Sequence, residues 1–120
     1  MYDIDRIVTI IKPKQPMLDW LIEQADMEQG LTLDELRKDC TALLIPICDD
    51  EEQATQFIAD IFGGLFTNEL ASWNTDETSW PEHRTLEMFF EWFDLEFHSL
   101  VFDLVPEEDE ESVEDITLLQ

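Results

Sequence analysis

The acidic residues of this chain are spread unevenly, and this limits what the chain can fold into. From Asp39 to Gln120 there are 22 acidic residues against the single base Arg84, a net charge of −21. Residues 1–38 are closer to balance, with 8 acids and 5 bases. A surface of one sign repels itself and destabilises the compact state, while it attracts cationic partners and repels nucleic acid and anionic membranes. We therefore expect a basic protein partner, with neither direct nucleic-acid binding nor membrane association.

The remaining composition predicts a folded domain. Hydrophobic residues make up 44% of the chain and include eight Phe and four Trp, which is more than an intrinsically disordered acidic protein contains. A chain of this length fits one domain and buries about two thirds of its unfolded surface. Seven of the nine residues from Glu107 to Asp115 are acidic, and such a block stays solvated. We predict one folded domain over 1–105 and a disordered acidic tail over 106–120.

The N-terminus and the cysteines favour the cytoplasm. The first residues are acidic, unlike the basic start of a secretory signal, and no apolar stretch approaches the roughly 20 residues that span a bilayer. Cys40 and Cys48 flank one apolar run, which as a strand would hold them about 26 Å apart at about 3.3 Å per residue. A disulfide needs Cα atoms within about 7 Å. We predict two free thiols in a reducing compartment.

Three segments are predicted to form strands. Ile4–Lys12 is rich in β-branched residues and stops at Pro13. Thr41–Ile47 is a continuous apolar run, typical of a strand buried on both faces, and we expect it to end at Pro46. Residues 95–105 are aromatic and β-branched and lead into Pro106. Helical spacing also allows one continuous helix over 82–104, but we predict a helix that ends near Phe93, followed by a strand.

Helices are predicted between these strands. One starts near Pro16, and a short one over 33–38 follows the capping box of Thr32 and Glu35. A long helix begins after Asp49–Glu52, and we expect a kink or a close contact at Gly63-Gly64. The last begins near Glu82. Because helices separate successive strands, we expect crossover connections in a single two-layer α+β domain, with about three strands and helices mainly on one face.

A polar loop between two tryptophans is the clearest candidate contact site. Trp is enriched where protein interfaces gain most of their binding energy, and loops often carry binding residues. The alternative is that both indoles pack into the core. With the acids of the loop and of the following helix, the predicted partner-binding residues are Trp73, Asp76, Glu77, Trp80, Glu87, Glu91 and Asp94.

The second candidate is a metal or hydrolytic site near Trp92. On a continuous helix Glu91, Asp94 and His98 would lie on one side and could bind a divalent ion, although zinc sites usually show tighter clustering of His or Cys. On the helix-then-strand prediction they would separate. The chain has no phosphate-binding glycine loop, no Gly-x-Ser-x-Gly and no Cys-x-x-Cys. We therefore predict no catalytic residues and no cofactor.

In charge and length the chain resembles the phage and bacterial DNA-mimic proteins and the acidic immunity proteins that neutralise nuclease toxins; the resemblance includes no shared residue pattern. It implies a non-catalytic interaction protein whose acidic face docks a basic partner that itself binds nucleic acid. Two alternatives stay open: the metal-binding or hydrolytic domain, and a protein whose charge serves solubility alone. The sequence does not predict an oligomeric state.

Overall fold

The computed structural model describes residues 2–24 and 30–105. The predicted tail over 106–120 lies outside them. The described residues form five strands and five α-helices, with a 3-10 turn at Glu77–Ser79. In chain order they are β1 Tyr2–Asp3, β2 Arg6–Pro13, α1 Gln15–Gln24, α2 Leu33–Leu36, β3 Thr41–Pro46, α3 Glu51–Asp60, α4 Phe62–Ala71, α5 Leu86–Trp92, β4 Phe93–His98 and β5 Phe102–Asp103.

The main sheet has three antiparallel strands in the order β3-β2-β4. The register places Thr9 of β2 between Leu43 of β3 and Phe97 of β4. The connection from β3 to β4 passes over β2, as predicted, whereas β2 and β3 are antiparallel neighbours and need no crossover. The predicted α+β class and the three-stranded sheet are confirmed. A separate pair, β1 and β5, continues the β2–β4 ladder beyond a break.

The sheet buries only one of its faces. Along β2 the alternate residues Ile7, Thr9 and Ile11 are buried, while Val8 and Ile10 between them are half-buried. This period of two places the first set under the helices. On β3 the neighbour of Val8, Leu44, is 59% exposed. The expectation that β3 is buried on both faces is therefore wrong, because β3 is an edge strand of a sheet with a single helical layer.

An aromatic cluster joins the helices to the sheet. Phe66 of α4 contacts Phe89 of α5 and Phe93 of β4, with ring centroids 5.8 and 5.5 Å apart. Phe89 and Phe93 are 5.2 Å apart, and all three rings are fully buried. Tilted and edge-to-face pairs of this kind stabilise a core beyond the area they bury. The cluster fixes α5 against α4 and so positions the loop that precedes α5.

The helix-then-strand prediction for residues 82–104 is confirmed, and the single-helix alternative is wrong. Phe93 has the extended angles φ −139° and ψ 141°, so the helix stops at Trp92 and β4 follows immediately. The predicted strand over 95–105 is interrupted after His98 and resumes only at Phe102–Asp103. The predicted start near Glu82 is also wrong, because His83 takes a left-handed φ of 55° and Thr85 caps the helix instead.

The predicted kink at Gly63-Gly64 is two residues too late. The helical path breaks at Ile61, whose φ of −120° and ψ of 15° separate α3 from α4. Both glycines lie in the first turn of α4, and a Cβ added to either would meet nothing within 4 Å. The expected close approach of another element at this pair is therefore wrong as well.

Candidate docking surface

The loop between Trp73 and Trp80 is held in place by hydrogen bonds between its own residues. Asn74 Oδ1 accepts from the backbone N–H of Asp76 at 2.9 Å. Asp76 Oδ1 accepts from the hydroxyl of Thr78 at 2.6 Å and from its backbone N–H at 3.0 Å, which caps the 3-10 turn. Both hydrogen bonds from Thr78 lower the pKa of the Asp76 carboxyl, and the one from the hydroxyl has the larger effect. Asp76 therefore presents a carboxylate from an ordered turn.

The two tryptophans of this loop have different surroundings. Trp73 is 41% exposed and lines a cavity of about 190 Å³. Trp80 is half-buried, packs against the core and donates its indole N–H to Asn74 O at 2.8 Å. Trp80 borders a second, larger cavity of about 470 Å³. Of the two predicted contact rings, Trp73 is therefore exposed, whereas Trp80 is held in the fold.

Three of the four tryptophans line the larger cavity. Trp20 of α1, Trp80 of the loop and Trp92 of α5 meet there, beside Asp19 and Glu23 of α1. We call these five residues the tryptophan groove. Trp20 is only 5% exposed and donates its indole N–H to Ser79 O at 2.9 Å, while Trp92 packs on Phe66 with centroids 5.4 Å apart. Periodicity alone did not predict this convergence, since it needs the contacts between α1 and α5.

Arg84 already occupies part of this region. Its guanidinium carbon lies 5.7 Å from the centre of the Trp80 ring, within the range of a cation–π contact. Its Nη1 donates to Pro81 O at 2.8 Å. The one base after residue 38 thus contacts an indole and a carbonyl. Across residues 2–24 and 30–105 it takes part in no ion pair.

The predicted contact acids of α5 and of β4 differ in how far their charge is compensated. Glu87 and Glu91 are exposed on α5, four residues apart, and neither is in an ion pair within the described part of the chain. Asp94 is exposed on β4, but it pairs with Lys14 and with Arg37, each at 3.6 Å. Asp94 is therefore the least suited of the predicted contact residues to attract a cationic partner.

Charge compensation is concentrated on the sheet side of the molecule. Glu96 of β4 forms an ion pair with Lys12 of β2 at 3.3 Å, and its carboxyl is hydrogen-bonded to Nε2 of His98 at 2.7 Å. Hydrogen bonds from His98 and Lys12 lower the pKa of the Glu96 carboxyl, and the one from His98 has the larger effect. By contrast, the segment 49–91 carries eleven acids and one base. No ion pair forms in that segment with any residue that the structure describes.

The structure separates the three residues of the metal hypothesis. Glu91 lies on α5, whereas Asp94 and His98 lie on β4, so the continuous helix that would align them does not exist. His98 instead contacts Glu96 through Nε2. Over residues 2–24 and 30–105, no group of three or more His, Cys, Asp or Glu side chains comes close enough to hold a metal ion.

A buried carboxyl beside Trp73 was not anticipated from the sequence. Glu69 of α4 is 9% exposed and lines the smaller cavity. Its Oε2 accepts from the hydroxyl of Thr41 at 2.7 Å, and burial raises the pKa of the Glu69 carboxyl against the opposing effect of that hydrogen bond. The sequence did contain a pointer, because Glu69 follows Phe66 by three positions and so lies on the buried face of the helix.

The same cavity contains a free thiol that is poorly suited to nucleophilic attack. Cys40 is half-buried, and both it and Cys48 are free. Burial raises the pKa of the Cys40 thiol, although Lys12 and Arg37 act in the opposite direction. The thiolate is the reactive form of cysteine. A raised pKa therefore keeps Cys40 in its unreactive form.

Comparisons with known proteins found no relative with which this surface could be compared. The chain matches no protein-family model, and neither a curated protein nor a solved structure is significantly similar to it. Among the helices that the structure describes, none is long and apolar enough to cross a membrane.

Proposed function

We propose that this protein is a non-catalytic docking protein that binds a basic protein through the exposed acidic side chains of α3, of α5 and of the loop between Trp73 and Trp80. The observation that carries this proposal is the uncompensated negative charge of the segment 49–91. Lys12, Lys14 and Arg37 pair with acids of β4. The segment 49–91 retains a net charge of −10 from its eleven acids and one base.

Uncompensated carboxylates suit a docking surface for two physical reasons. Their field steers a cationic partner and raises its rate of association. Each ion pair formed with the partner also neutralises a carboxylate and so reduces the like-charge repulsion within this chain. Glu87 and Glu91 are exposed and need not break an internal contact first. Trp73, which is 41% exposed, adds apolar area of the kind that anchors interfaces.

The proposal extends to the kind of partner and to its compartment. A protein surface that binds nucleic acid carries Lys and Arg placed to neutralise phosphates. Carboxylates presented from an ordered scaffold can compete for those same side chains, as in a DNA mimic or a toxin-neutralising protein. Two free cysteines favour a reducing compartment. We therefore propose that the partner is a nucleic-acid-binding protein of the cytoplasm.

The test is capture from native lysate at low salt by three immobilised proteins: wild type, the double variant Glu87→Gln/Glu91→Gln, and the control Asp3→Asn/Asp5→Asn. All four substituted side chains are exposed, and both variants lose two negative charges. We expect wild type and control to retain the same basic proteins, and the α5 variant to retain less of them. Elution near physiological salt is expected, because the screening length falls to about 8 Å there.

Three results would contradict the proposal. One is that neither wild type nor control retains any protein at low salt. Another is that the retained proteins are neutral or acidic. The third is that the α5 variant and the control behave alike, which would mean that the charge acts only through its total and would support a role in solubility.

A further inference from the structure

We propose that the tryptophan groove holds an arginine side chain of the basic partner, with its guanidinium next to Asp19 and Glu23 and its stem along the indoles. This inference rests on the proposed function and adds the chemistry that the groove would recognise. It concerns α1, Trp80 and Trp92, rather than the acids of α5.

The indole N–H groups are already used within the fold. Trp20 donates to Ser79 O at 2.9 Å and Trp80 donates to Asn74 O at 2.8 Å. These bonds fix the two rings. Trp20 is only 5% exposed, so a ligand would contact the half-buried rings of Trp80 and Trp92. Indole surfaces attract cations through the ring quadrupole and attract apolar stems through dispersion. An arginine side chain offers both a cation and a stem.

The carboxylates of the groove have no cation of their own. Asp19 and Glu23 are exposed and lie four residues apart on α1. Asp19 Oδ1 accepts from Gln15 Nε2 at 2.9 Å, and neither acid forms an ion pair within residues 2–24 and 30–105. Two negative charges beside three indoles complement a cationic ligand and disfavour an anionic one.

Arg84 provides an internal example of the same contact. Its guanidinium lies 5.7 Å from the centre of the Trp80 ring, so an indole of this groove already accepts such a group. Arginine is favoured over lysine because its planar, weakly hydrated guanidinium stacks on aromatic rings and can bind carboxylates through two parallel hydrogen bonds. The cavity of about 470 Å³ has the size of known ligand sites.

The test uses short peptides that share one backbone and differ at a single position. A glycine-flanked arginine peptide is titrated into the full chain and followed by the indole N–H resonances in NMR spectra. Matched peptides carry citrulline, which keeps the shape without the charge, or lysine. We expect the arginine peptide to shift the Trp80 and Trp92 resonances. The citrulline peptide should bind roughly tenfold more weakly, as expected for loss of a cation–π contact and an ion pair.

Variants of the exposed acids test the site without disturbing the core. Asp19→Asn/Glu23→Gln should weaken binding of the arginine peptide about fivefold or more. The control Asp3→Asn/Asp5→Asn has the same net charge as that variant and should leave the affinity for the arginine peptide unchanged. Thermal unfolding of both variants checks that the fold is kept. Trp80→Phe is a second probe, because it retains an aromatic ring with a weaker attraction for cations.

Several outcomes would overturn this inference. Equal affinity for the arginine and citrulline peptides would show that the charge is not recognised. An equal loss in both acid variants would show that only total charge matters. A proline-rich peptide without cations that bound as well as the arginine peptide would identify the groove as a polyproline site. If basic proteins are still captured from lysate while the arginine peptide fails, the docking function stands and the arginine site is wrong.

Discussion

At the scale of single residues, burial rather than residue type decides what a carboxyl does in this protein. Glu87 and Glu69 are both glutamates on helices, but Glu87 is exposed, whereas Glu69 is buried, with only 9% of its surface exposed. Hydropathy does not distinguish them, and only Glu87 was predicted to be a contact residue. The position of Glu69 depends on tertiary structure, which brings the hydroxyl of Thr41, at the start of β3, to 2.7 Å from its carboxyl. The two residues are 28 positions apart in the sequence, so local sequence patterns cannot predict this contact.

Replacing Glu69 with Gln should stabilise the fold at neutral pH. Burial raises the pKa of Glu69 in the folded state, so the folded chain binds more protons than the unfolded chain between the two pKa values. The stability that this group contributes is complete below its unfolded pKa and is lost as pH rises through the folded pKa. Glu69→Gln should therefore raise the free energy of unfolding at pH 7 and flatten its pH dependence between the two pKa values.

Denaturant titrations at several pH values, with Glu82→Gln as control, measure this effect. The Glu82 side chain is exposed and lies outside the helices, so the control removes the same charge without relieving desolvation. A Glu69 variant that is less stable than wild type at pH 7, or no different from the control, would refute the argument. It would then follow that the Thr41 hydrogen bond outweighs the cost of burial.

Trp73 and Trp80 should respond differently to substitution by alanine. Trp80 packs against the core and its N–H is bonded to Asn74, so Trp80→Ala should cost about 3 kcal/mol of unfolding free energy. Trp73 is 41% exposed, so Trp73→Ala should cost less, about 2 kcal/mol, in proportion to the smaller area it buries. Chemical denaturation checks both values. Equal costs would show that the two rings have the same surroundings.

At the scale of helices and strands, local chemistry predicted some boundaries and missed others. Thr32 caps α2 by accepting from the N–H of Glu35 at 3.2 Å, and Pro46 ends β3 as expected. The start of α5 was missed because Thr85 is followed three residues later by Met88, which lacks the carboxyl of a capping box. The break at Ile61 has no composition cue, since Ile is an ordinary residue within a helix.

The glycines of α4 should be replaceable with a gain in stability. Gly63 and Gly64 have no positive φ, and a Cβ at either would meet nothing within 4 Å. Gly63→Ala and Gly64→Ala should each raise the unfolding free energy by about 0.5 to 1 kcal/mol, because alanine loses less conformational entropy in a helix. Gly30→Ala is the contrasting control. Its φ of +107° is strained for alanine, so that change should destabilise.

Thermal or denaturant unfolding of the three variants decides the point. If both α4 variants are less stable than wild type, flexibility at the junction after Ile61 contributes to the fold. The absence of a close contact would then not be the deciding feature.

At the scale of the whole molecule, the sequence predicted the amount of charge but not its arrangement. The excess of acid after residue 38 was plain, and the α+β class followed from the order of strands and helices. Lys12 and Glu96 are 84 positions apart, so no local rule could pair them. That pairing depends on β2 lying next to β4. The convergence of Trp20, Trp80 and Trp92 likewise required tertiary structure.

The self-repulsion of the chain should make its stability rise with salt. Among the acids in residues 2–24 and 30–105, only Asp94 and Glu96 form ion pairs, and screening shortens the range of the remaining repulsion from about 30 Å at 0.01 M to about 10 Å at 0.1 M salt. The melting temperature should therefore increase over that range. A fall would mean that the few ion pairs on β4 contribute more than the repulsion.

The most direct measurement of the docking claim is the salt dependence of affinity for the basic protein captured from lysate. Calorimetric titration would compare wild type, Glu87→Gln/Glu91→Gln and Asp3→Asn/Asp5→Asn at about 0.01 M and about 0.15 M salt. We predict that wild-type affinity falls steeply with salt. The α5 variant should bind about fivefold more weakly at low salt with a shallower dependence, since each exposed pair contributes up to about 1 kcal/mol. The control should match wild type. An affinity that stays constant across this range, or equal losses in both variants, would contradict the account.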